Sequence, residues 1–149
     1  MSEPGSTGAR TRARELLVQA LYQKQLAGHS CGELLEQFHL QAAYQRVDKE
    51  FFDEALPVIC GSESELVAVI DGLIDRPFVQ LDPVEVAVLL IGIYELQSRI
   101  DIPYRVVINE GVNLAKRFGA ADGHKYINAC LDNAAQSLRS TEMSSQGSG

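Results

Sequence analysis

The apolar run from Val84 to Leu96 is the feature that most restricts how this chain can fold. Asp82 and Pro83 come directly before it, and these residue types suit the N-cap and the first position of a helix. On a helix, the apolar side chains of the run cover most of the circumference rather than one stripe. A helix of that kind is buried on nearly all sides. We therefore predict a central buried helix around which other elements pack.

A helical period extends over most of the remaining sequence. Ser30 and Glu33 have the spacing of a capping box, in which each side chain accepts a hydrogen bond from the other residue's backbone N–H. The β-branched run at 106–108 suits a strand when taken alone, but the apolar positions that follow continue at helical spacing. The sequence therefore predicts an all-α fold, with helices at about 9–27, 31–44, 49–60, 63–75, 83–99, 104–118 and 123–138.

The two ends of the chain differ from its centre in composition. Met1–Gly8 and Ser140–Gly149 consist mainly of small and polar residues, which is typical of disordered segments. The length of 149 residues suits one domain. We therefore expect a disordered N-terminal arm over 1–8, a single all-helical domain over 9–139 and a disordered tail over 140–149.

Composition and motifs argue against several classes of function. A formal net charge of −7 opposes nonspecific coating of nucleic acid, although it permits a local basic site. No apolar run approaches the roughly 20 residues that a membrane helix needs. Cys31, Cys60 and Cys130 lack the spacing of a metal site, so we expect reduced thiols in a cytoplasmic protein. No catalytic or cofactor-binding motif occurs, and we expect no enzymatic activity, cofactor or metal.

Three arginines, Arg10, Arg12 and Arg14, crowd the start of the first predicted helix. The N-terminus of a helix carries partial positive charge, so cations are unfavourable there unless an anion compensates. The pattern has two interpretations of equal weight. Either the arginines form a solvated first turn paired with nearby acidic residues, or they bind a polyanionic ligand.

Polar and aromatic residues surround the predicted turn between the last two predicted helices. Gly119 is predicted to end the first of these helices in the left-handed conformation, and Asp122 is predicted to cap the second. Flat rings stack on unpaired bases and cations bind phosphate, so the turn is a candidate RNA site. The alternative is that Phe118 and Tyr126 pack in the core. The candidate residues are Lys116, Phe118, Asp122, His124, Lys125 and Tyr126.

Three segments together resemble the NusB family of bacterial transcription antitermination factors. They read ARTRARELLVQALYQ, VEVAVLLIGIYEL and IDIPYRVVINEGVNLAKRFGAADGHKYINACLDNAA. The resemblance extends from about Ala9 to Ala135 and is weakest between Gly28 and Arg76, where only the helical pattern is shared. The order of the INE, LAKRFG, HKY and LD elements makes it specific.

The resemblance implies a fold of two packed helical bundles and a function without catalysis. It implies binding to the boxA element of ribosomal RNA leader transcripts, together with the small-subunit ribosomal protein NusE. The pair is then expected to join RNA polymerase and other Nus factors and to suppress termination. A homodimer remains an open possibility.

The resemblance also assigns roles to individual residues. The expected partner-binding residues are Tyr22 and Glu85, and Glu85 opens the central helix. The RNA-binding residues that it implies are Arg10, Arg12, Arg14, Phe118, Asp122, His124, Lys125 and Tyr126, and Lys116 is added from its position on the polar stripe before the turn.

Two other functions stay open beside this one. A domain of the same type occurs at the N-terminus of some ribosomal RNA cytosine methyltransferases, so the chain could be a related RNA-binding module. The other alternative is a purely protein-binding helical adaptor, whose arginines contact acidic partner surfaces.

Overall fold

The computed structural model describes residues 8–147, and within this range helices are the only regular secondary structure, which confirms the predicted fold class. Residues 1–7 of the predicted disordered arm lie outside the described residues. The described part contains eight α-helices and two short 3₁₀ helices, at Ala42–Arg46 and Phe78–Gln80. The α-helices are α1 (Arg10–Ala27), α2 (Cys31–His39), α3 (Lys49–Gly61), α4 (Glu63–Asp71), α5 (Pro83–Ser98), α6 (Tyr104–Phe118), α7 (Gly123–Leu138) and α8 (Ser140–Gly147).

The chain divides into two compact units, and the division falls after Glu63, the first residue of α4. In the first unit, α3 packs against α1 and α2, and α1 also contacts α2 and the 3₁₀ helix Ala42–Arg46. In the second unit, α5, α6 and α7 each pack against the other two, and α8 packs against α7. The two units correspond to the two helical bundles that the resemblance implies, one containing α1–α3 and the other α5–α8.

Helix α5 is the centre of the second unit, as its sequence predicts. Every residue from Val86 to Leu96 is buried. Leu131 of α7 fits against two glycines, Gly92 of α5 and Gly111 of α6. A Cβ atom on either glycine would lie 2.6 Å from a Leu131 methyl carbon, which is closer than such atoms approach in proteins. The two glycines therefore make room for one leucine between three helices.

Both predicted capping boxes are present. At the start of α5, Glu85 N–H donates to Asp82 Oδ1 (2.8 Å) and Asp82 N–H donates to Glu85 Oε1 (3.2 Å). At the start of α2, Glu33 N–H donates to Ser30 Oγ and Ser30 N–H donates to Glu33 Oε1. Each pair satisfies two backbone donors that the helix cannot bond internally.

A buried arginine closes the other end of α5. Arg139, which is 5% exposed, donates from Nε to Leu96 O (2.8 Å) and from one terminal nitrogen to Glu95 O (3.1 Å) and Arg99 O (2.9 Å). The last carbonyls of a helix lack internal partners and carry partial negative charge, so a guanidinium stabilises them in both respects. Its other terminal nitrogen binds Glu142 Oε1 (2.6 Å).

The prediction of a disordered tail is wrong for residues 140–147, which form α8. Glu142 binds Arg139 and also accepts the backbone N–H of Tyr104 (3.0 Å), the first residue of α6. Burial alone would raise the Glu142 pKa, but these hydrogen bonds and the charges of Arg139 and Arg105 outweigh it and lower the pKa. One glutamate thus joins the start of α8 to the end of α5 and the start of α6. The composition of the tail gives no sign of these contacts.

Two other helix boundaries differ from the prediction. The predicted helix 31–44 ends at His39, because Leu40 leaves the helix and Tyr44 turns inward, where its hydroxyl donates to Asp53 Oδ2 (2.7 Å). The predicted helix 63–75 ends at Asp71, directly before Gly72. Glycine costs about 1 kcal/mol relative to alanine inside a helix, which favours an end at this point.

Candidate nucleic-acid interface

Two of the three N-terminal arginines contact the interior of the first unit. The guanidinium carbons of Arg10 and Arg14 lie 5.2 and 5.1 Å from the centroid of the Phe51 ring. Arg10 Nε also pairs with Asp48 Oδ2 (3.2 Å). Arg14 is only 3% exposed, so its side chain belongs to the packing of α1 on α3. Arg10 is thus paired with an acidic residue, while 26% of its side chain stays exposed.

Arg12 lies on a different side of α1 and is exposed. Its Nε donates to the backbone carbonyl of Arg46 (2.9 Å), which lies at the end of the 3₁₀ helix Ala42–Arg46. Arg46 is itself exposed. Two cationic side chains therefore belong to one exposed region of the first unit. Sequence spacing gave no sign of Arg46, since 34 residues separate it from Arg12.

The turn between α6 and α7 presents charged side chains to solvent. Lys116, Lys125 and Asp122 are all exposed, and Lys125 Nζ lies 3.5 Å from Asp122 Oδ1. The prediction that the Asp122 side chain caps α7 is wrong, because its carboxylate makes no cap hydrogen bond and pairs with Lys125 instead. An exposed pair of this kind contributes little to stability, so both groups remain accessible to a ligand.

Gly119 ends α6, but its conformation differs from the prediction. Its φ of −97° and ψ of −179° are extended rather than left-handed. A Cβ atom there would lie 2.7 Å from the carbonyl oxygen of Ala115, which accepts the Gly119 N–H. Glycine is therefore required by close backbone approach rather than by a positive φ.

Three rings lie at or beside this turn, and each is half-buried: Phe118, His124 and Tyr126. The guanidinium carbon of Arg117 lies 5.3 Å from the centroid of the Phe118 ring. Phe118 and Tyr126 are thus neither core residues nor freely exposed, and part of each ring is within reach of a ligand.

Tyr126 is held from two sides. Its hydroxyl is buried beside the Cys130 thiol, and burial raises the pKa of this tyrosine to about 12. The guanidinium carbon of Arg76 lies 4.0 Å from the ring centroid, a close cation–π contact. Arg76 lies in the segment between α4 and α5, where the sequence pattern gives no sign of a functional residue.

A shallow groove lies between α6 and α7. Its cavity has a volume of about 340 Å³. Its polar lining residues include Asn109 of α6 and Asn128 of α7. The complete lining is Tyr104, Arg105, Ile108, Asn109, Val112, Asn128 and Asp132.

The two residues expected to bind a protein partner differ in their surroundings. Tyr22 on α1 is 40% exposed, so its ring is accessible to a partner. Glu85 is half-buried, and one of its carboxylate oxygens is occupied by the capping box of α5. A test of Glu85 must therefore separate its charge from its capping hydrogen bond.

The described residues offer no alternative chemistry at a metal or a membrane. Over residues 8–147, no group of three His, Cys, Asp or Glu side chains is placed to hold a metal ion. No helix in the same range has both the length and the apolar content to cross a membrane. Cys31, Cys60 and Cys130 are free thiols, and burial raises the pKa of Cys60 to about 12. Thiols with raised pKa values are poor nucleophiles at neutral pH.

Comparisons with known proteins agree with the sequence resemblance. The model of the NusB family matches residues 11–136. The chain is 48% identical over 134 residues to the transcription antitermination protein NusB of Paraburkholderia phymatum, covering 90% of this chain and 92% of that protein. It is 41% identical over 139 residues to the protein of the same name from Pseudomonas syringae pv. tomato, covering 93% and 84%.

The fold gives the same answer. The solved structure of T. maritima NusB matches with a TM-score of 0.77 and 27% sequence identity, covering 92% of this chain and 94% of that one. The structural match covers both units, and the family model covers most of the chain. Together with the sequence identities, these matches identify the family. The chain belongs to the NusB family.

Proposed function

We propose that this chain is a transcription antitermination factor that binds boxA RNA of ribosomal RNA leader transcripts together with the ribosomal protein NusE. The complex then joins RNA polymerase and other Nus factors, in the cytoplasm. The relatives described above carry the name transcription antitermination protein, which supports the general role. RNA as the ligand is supported by the surface of the turn between α6 and α7.

The observation that carries the RNA proposal is the combination of exposed cations and accessible rings at this turn. Lys116 and Lys125 are exposed, and Phe118, His124 and Tyr126 are half-buried. Single-stranded RNA is bound in this way, by cations that contact phosphates and by rings that stack on bases. Asp122 beside Lys125 reduces the local positive charge and offers a carboxylate acceptor for base N–H groups.

In the first unit, the proposal assigns different roles to the three arginines. Arg12 is exposed and contacts phosphate directly, and the exposed part of Arg10 adds a second contact. Arg14 is buried against Phe51 and supports the start of α1. With few phosphate contacts and a net charge of −7, the chain alone binds RNA weakly. The basic ribosomal partner supplies the remaining affinity.

Charge-removing variants test the RNA proposal. Lys125→Ala and Arg12→Ala are each expected to weaken RNA binding by the NusE complex by about 1 kcal/mol and to reduce the salt dependence, since each removes one phosphate contact. Arg105→Ala removes an exposed cation at the opposite end of α6 from the turn and serves as the control. Equal losses for all three variants would show that only net charge matters, and unchanged affinity for the first two would contradict the proposal.

The partner proposal is tested at Glu85 with the capping box preserved. Glutamine replaces glutamate in capping boxes, so Glu85→Gln removes the charge and keeps the hydrogen bond to Asp82. We expect weaker capture of NusE by this variant and by Tyr22→Ala. Glu33→Gln changes the corresponding residue in the capping box of α2 and is the matched control. Wild-type capture of NusE by Glu85→Gln and Tyr22→Ala would remove both residues from the interface.

The same variants distinguish the adaptor alternative. A purely protein-binding chain would keep wild-type RNA affinity in the Arg12→Ala and Lys125→Ala complexes, because all RNA contacts would come from NusE. Loss of RNA affinity with unchanged NusE capture excludes that alternative.

A further inference from the structure

We propose that Arg76 is an additional RNA-binding residue, whose guanidinium group, supported by the ring of Tyr126, stacks on one unpaired base of a single-stranded RNA. The inference rests on the proposed RNA-binding function and adds a residue that no sequence motif indicates. It also changes the role of Tyr126, which becomes a positioning residue beneath Arg76 rather than the surface that the base contacts.

The first support is the geometry of the pair. The guanidinium carbon of Arg76 lies 4.0 Å from the centroid of the Tyr126 ring, whereas the corresponding distances at Arg10 and Arg14 are 5.2 and 5.1 Å. At that distance the guanidinium group covers one face of the ring. A base approaching from that side meets the arginine first.

The second support is that the Tyr126 hydroxyl is buried, whereas the Arg76 side chain is partly exposed. The Tyr126 hydroxyl is buried beside Cys130, so the ring is held at its inner end and cannot swing outward without exposing buried atoms. The Arg76 side chain is 41% exposed. Guanidinium planes stack on RNA bases as aromatic rings do, and they add a positive charge near the phosphates. The outer part of this pair is therefore suited to a base.

The third support is the weakness of the ion pair that Arg76 makes with Asp75. Arg76 Nε lies 3.7 Å from a carboxylate oxygen of Asp75, whose side chain is itself 84% exposed. A surface pair of this length is worth little and is easily exchanged for another partner. Because the arginine is already placed by Tyr126, binding a base costs less side-chain entropy than it would for a free arginine.

The pair lies close in sequence to the rest of the proposed RNA surface. Tyr126 follows Lys125 directly and belongs to the first turn of α7, which begins at Gly123. Arg76 thereby extends the surface from the turn between α6 and α7 to the segment that precedes α5. The added residue is a flat cation, which recognises an unpaired base rather than a duplex.

Fluorescence anisotropy tests this inference. The affinity of a boxA-containing RNA oligonucleotide for the NusE complex of each variant is measured at fixed salt. We expect Arg76→Ala to weaken binding by about 5- to 100-fold, the range that loss of one stacked base gives. Arg76→Lys keeps the charge but has no planar group, and it is expected to recover less than half of the loss. Tyr126→Phe keeps the ring and is expected to lose much less affinity than Tyr126→Leu, which is expected to lose about as much as Arg76→Ala.

Arg105→Ala is the matched control, since Arg105 also lies beside a tyrosine ring, at 5.6 Å from the Tyr104 centroid, and its Nε is hydrogen-bonded to the Tyr104 hydroxyl. It is expected to change RNA affinity by less than about twofold. Circular dichroism of each variant checks that the helices are intact. Arg76→Ala changes an exposed residue outside every helix and keeps the test valid if Tyr126→Leu fails to fold.

A scan of the RNA with single abasic sites identifies the stacked base. At one position, removing the base is expected to weaken wild-type binding and to cancel the effect of Arg76→Ala, because each change removes the same contact. An equal effect of Arg76→Ala at every abasic position would show a phosphate contact only and would overturn the stacking. Wild-type RNA affinity of Arg76→Lys would also show that Arg76 contacts phosphate only, and it would overturn the stacking.

Two further results would also overturn the inference. Loss of NusE capture by Arg76→Ala, with unchanged RNA affinity of the remaining complex, would make Arg76 a protein contact. Wild-type RNA affinity for Arg76→Ala, beside clear losses for Lys125→Ala and Arg12→Ala, would refute this inference and leave the proposed function intact. Absence of RNA binding by the wild-type complex would refute both.

Discussion

The buried arginine at the end of α5 gives a quantitative prediction about stability. In an Arg139→Met variant, Glu95 O keeps the N–H of Arg99 and Arg99 O keeps the N–H of Ile102. Leu96 O loses the 2.8 Å hydrogen bond from Arg139 Nε, and Glu142 loses the guanidinium at 2.6 Å. Charged hydrogen bonds are worth about 1.5–3 kcal/mol each, and removing one partner of a buried charged pair costs about 3–5 kcal/mol, so we expect a loss of about 3–5 kcal/mol.

Urea unfolding followed by far-UV circular dichroism measures this loss, and the thermal midpoint is expected to fall by about 6–20 °C. Hydrogen exchange locates it, with faster exchange expected first in the amides around 93–98 and 104–107, at the two helix ends that Arg139 and Glu142 hold. Arg105→Met is the control, because it removes an exposed arginine from the same unit and is expected to cost less than about 1 kcal/mol.

The reasoning is refuted if Arg139→Met costs less than about 1 kcal/mol or no more than Arg105→Met. It is also refuted if Arg139→Met and Glu142→Gln have additive effects, since residues that share one hydrogen-bond network are expected to show coupled losses.

Three further predictions concern packing and pH. Gly92→Ala is expected to lower the free energy of unfolding by about 1–3 kcal/mol, measured in urea, because the added Cβ would meet Leu131. In the double variant with Leu131→Ala, the Gly92→Ala change is expected to cost less, since the leucine side chain is gone. Additive losses in the double variant would contradict this contact. The Glu142 pKa is lowered from 4.5, so the stabilisation that its carboxylate provides is present above about pH 4.5 and is lost on further acidification. The free energy of unfolding of Glu142→Gln is therefore expected to depend less on pH below 4.5 than that of the wild type. The same pH dependence in both proteins would contradict this. Burial and the hydrogen bond to Asp53 raise the pKa of Tyr44 from 10.0 to about 12. The stabilisation by the neutral hydroxyl is therefore complete below pH 10 and is lost as the pH rises towards 12. The free energy of unfolding of Tyr44→Phe is expected to decline less over that interval than that of the wild type, and an equal decline would contradict this.

Local sequence rules predicted those parts of the fold that local chemistry controls. The capping boxes at Ser30 and Asp82 need only residues within one helical turn, and both are present. The burial of α5 follows from apolar residues around its whole circumference, which no other environment accommodates. The bounds of α6 and α7 also agree with the prediction, because their apolar stripes have a clear helical period.

Features that depend on contacts distant in sequence were not predictable in this way. Helix α8 has a polar composition and depends on contacts with residues about 40 positions away, such as Glu142 with Tyr104. The burial of Arg14 depends on Phe51, and the exposure of Arg12 beside Arg46 depends on the path of the 3₁₀ helix. In each case a charged or polar side chain has a partner that its own helix does not reveal.

At the candidate site, the sequence indicated which turn to consider but not how its residues are arranged. Asp122 was predicted to cap α7 because aspartate has that preference, and it pairs with Lys125 instead. Tyr126 was singled out as an aromatic residue beside a histidine and a lysine. Arg76, which contacts its ring, is 50 residues away in the sequence, so the contact can be seen only in the structure.

The central claim is that this chain and NusE together form the boxA-binding unit. The most direct test is a fluorescence titration of a labelled boxA RNA, at fixed salt, with the chain alone, NusE alone and the equimolar complex. We expect the complex to bind at least about tenfold more tightly than either protein alone and to discriminate against a scrambled RNA. Equal affinity for the chain with and without NusE, or equal affinity for the scrambled RNA, would contradict the claim.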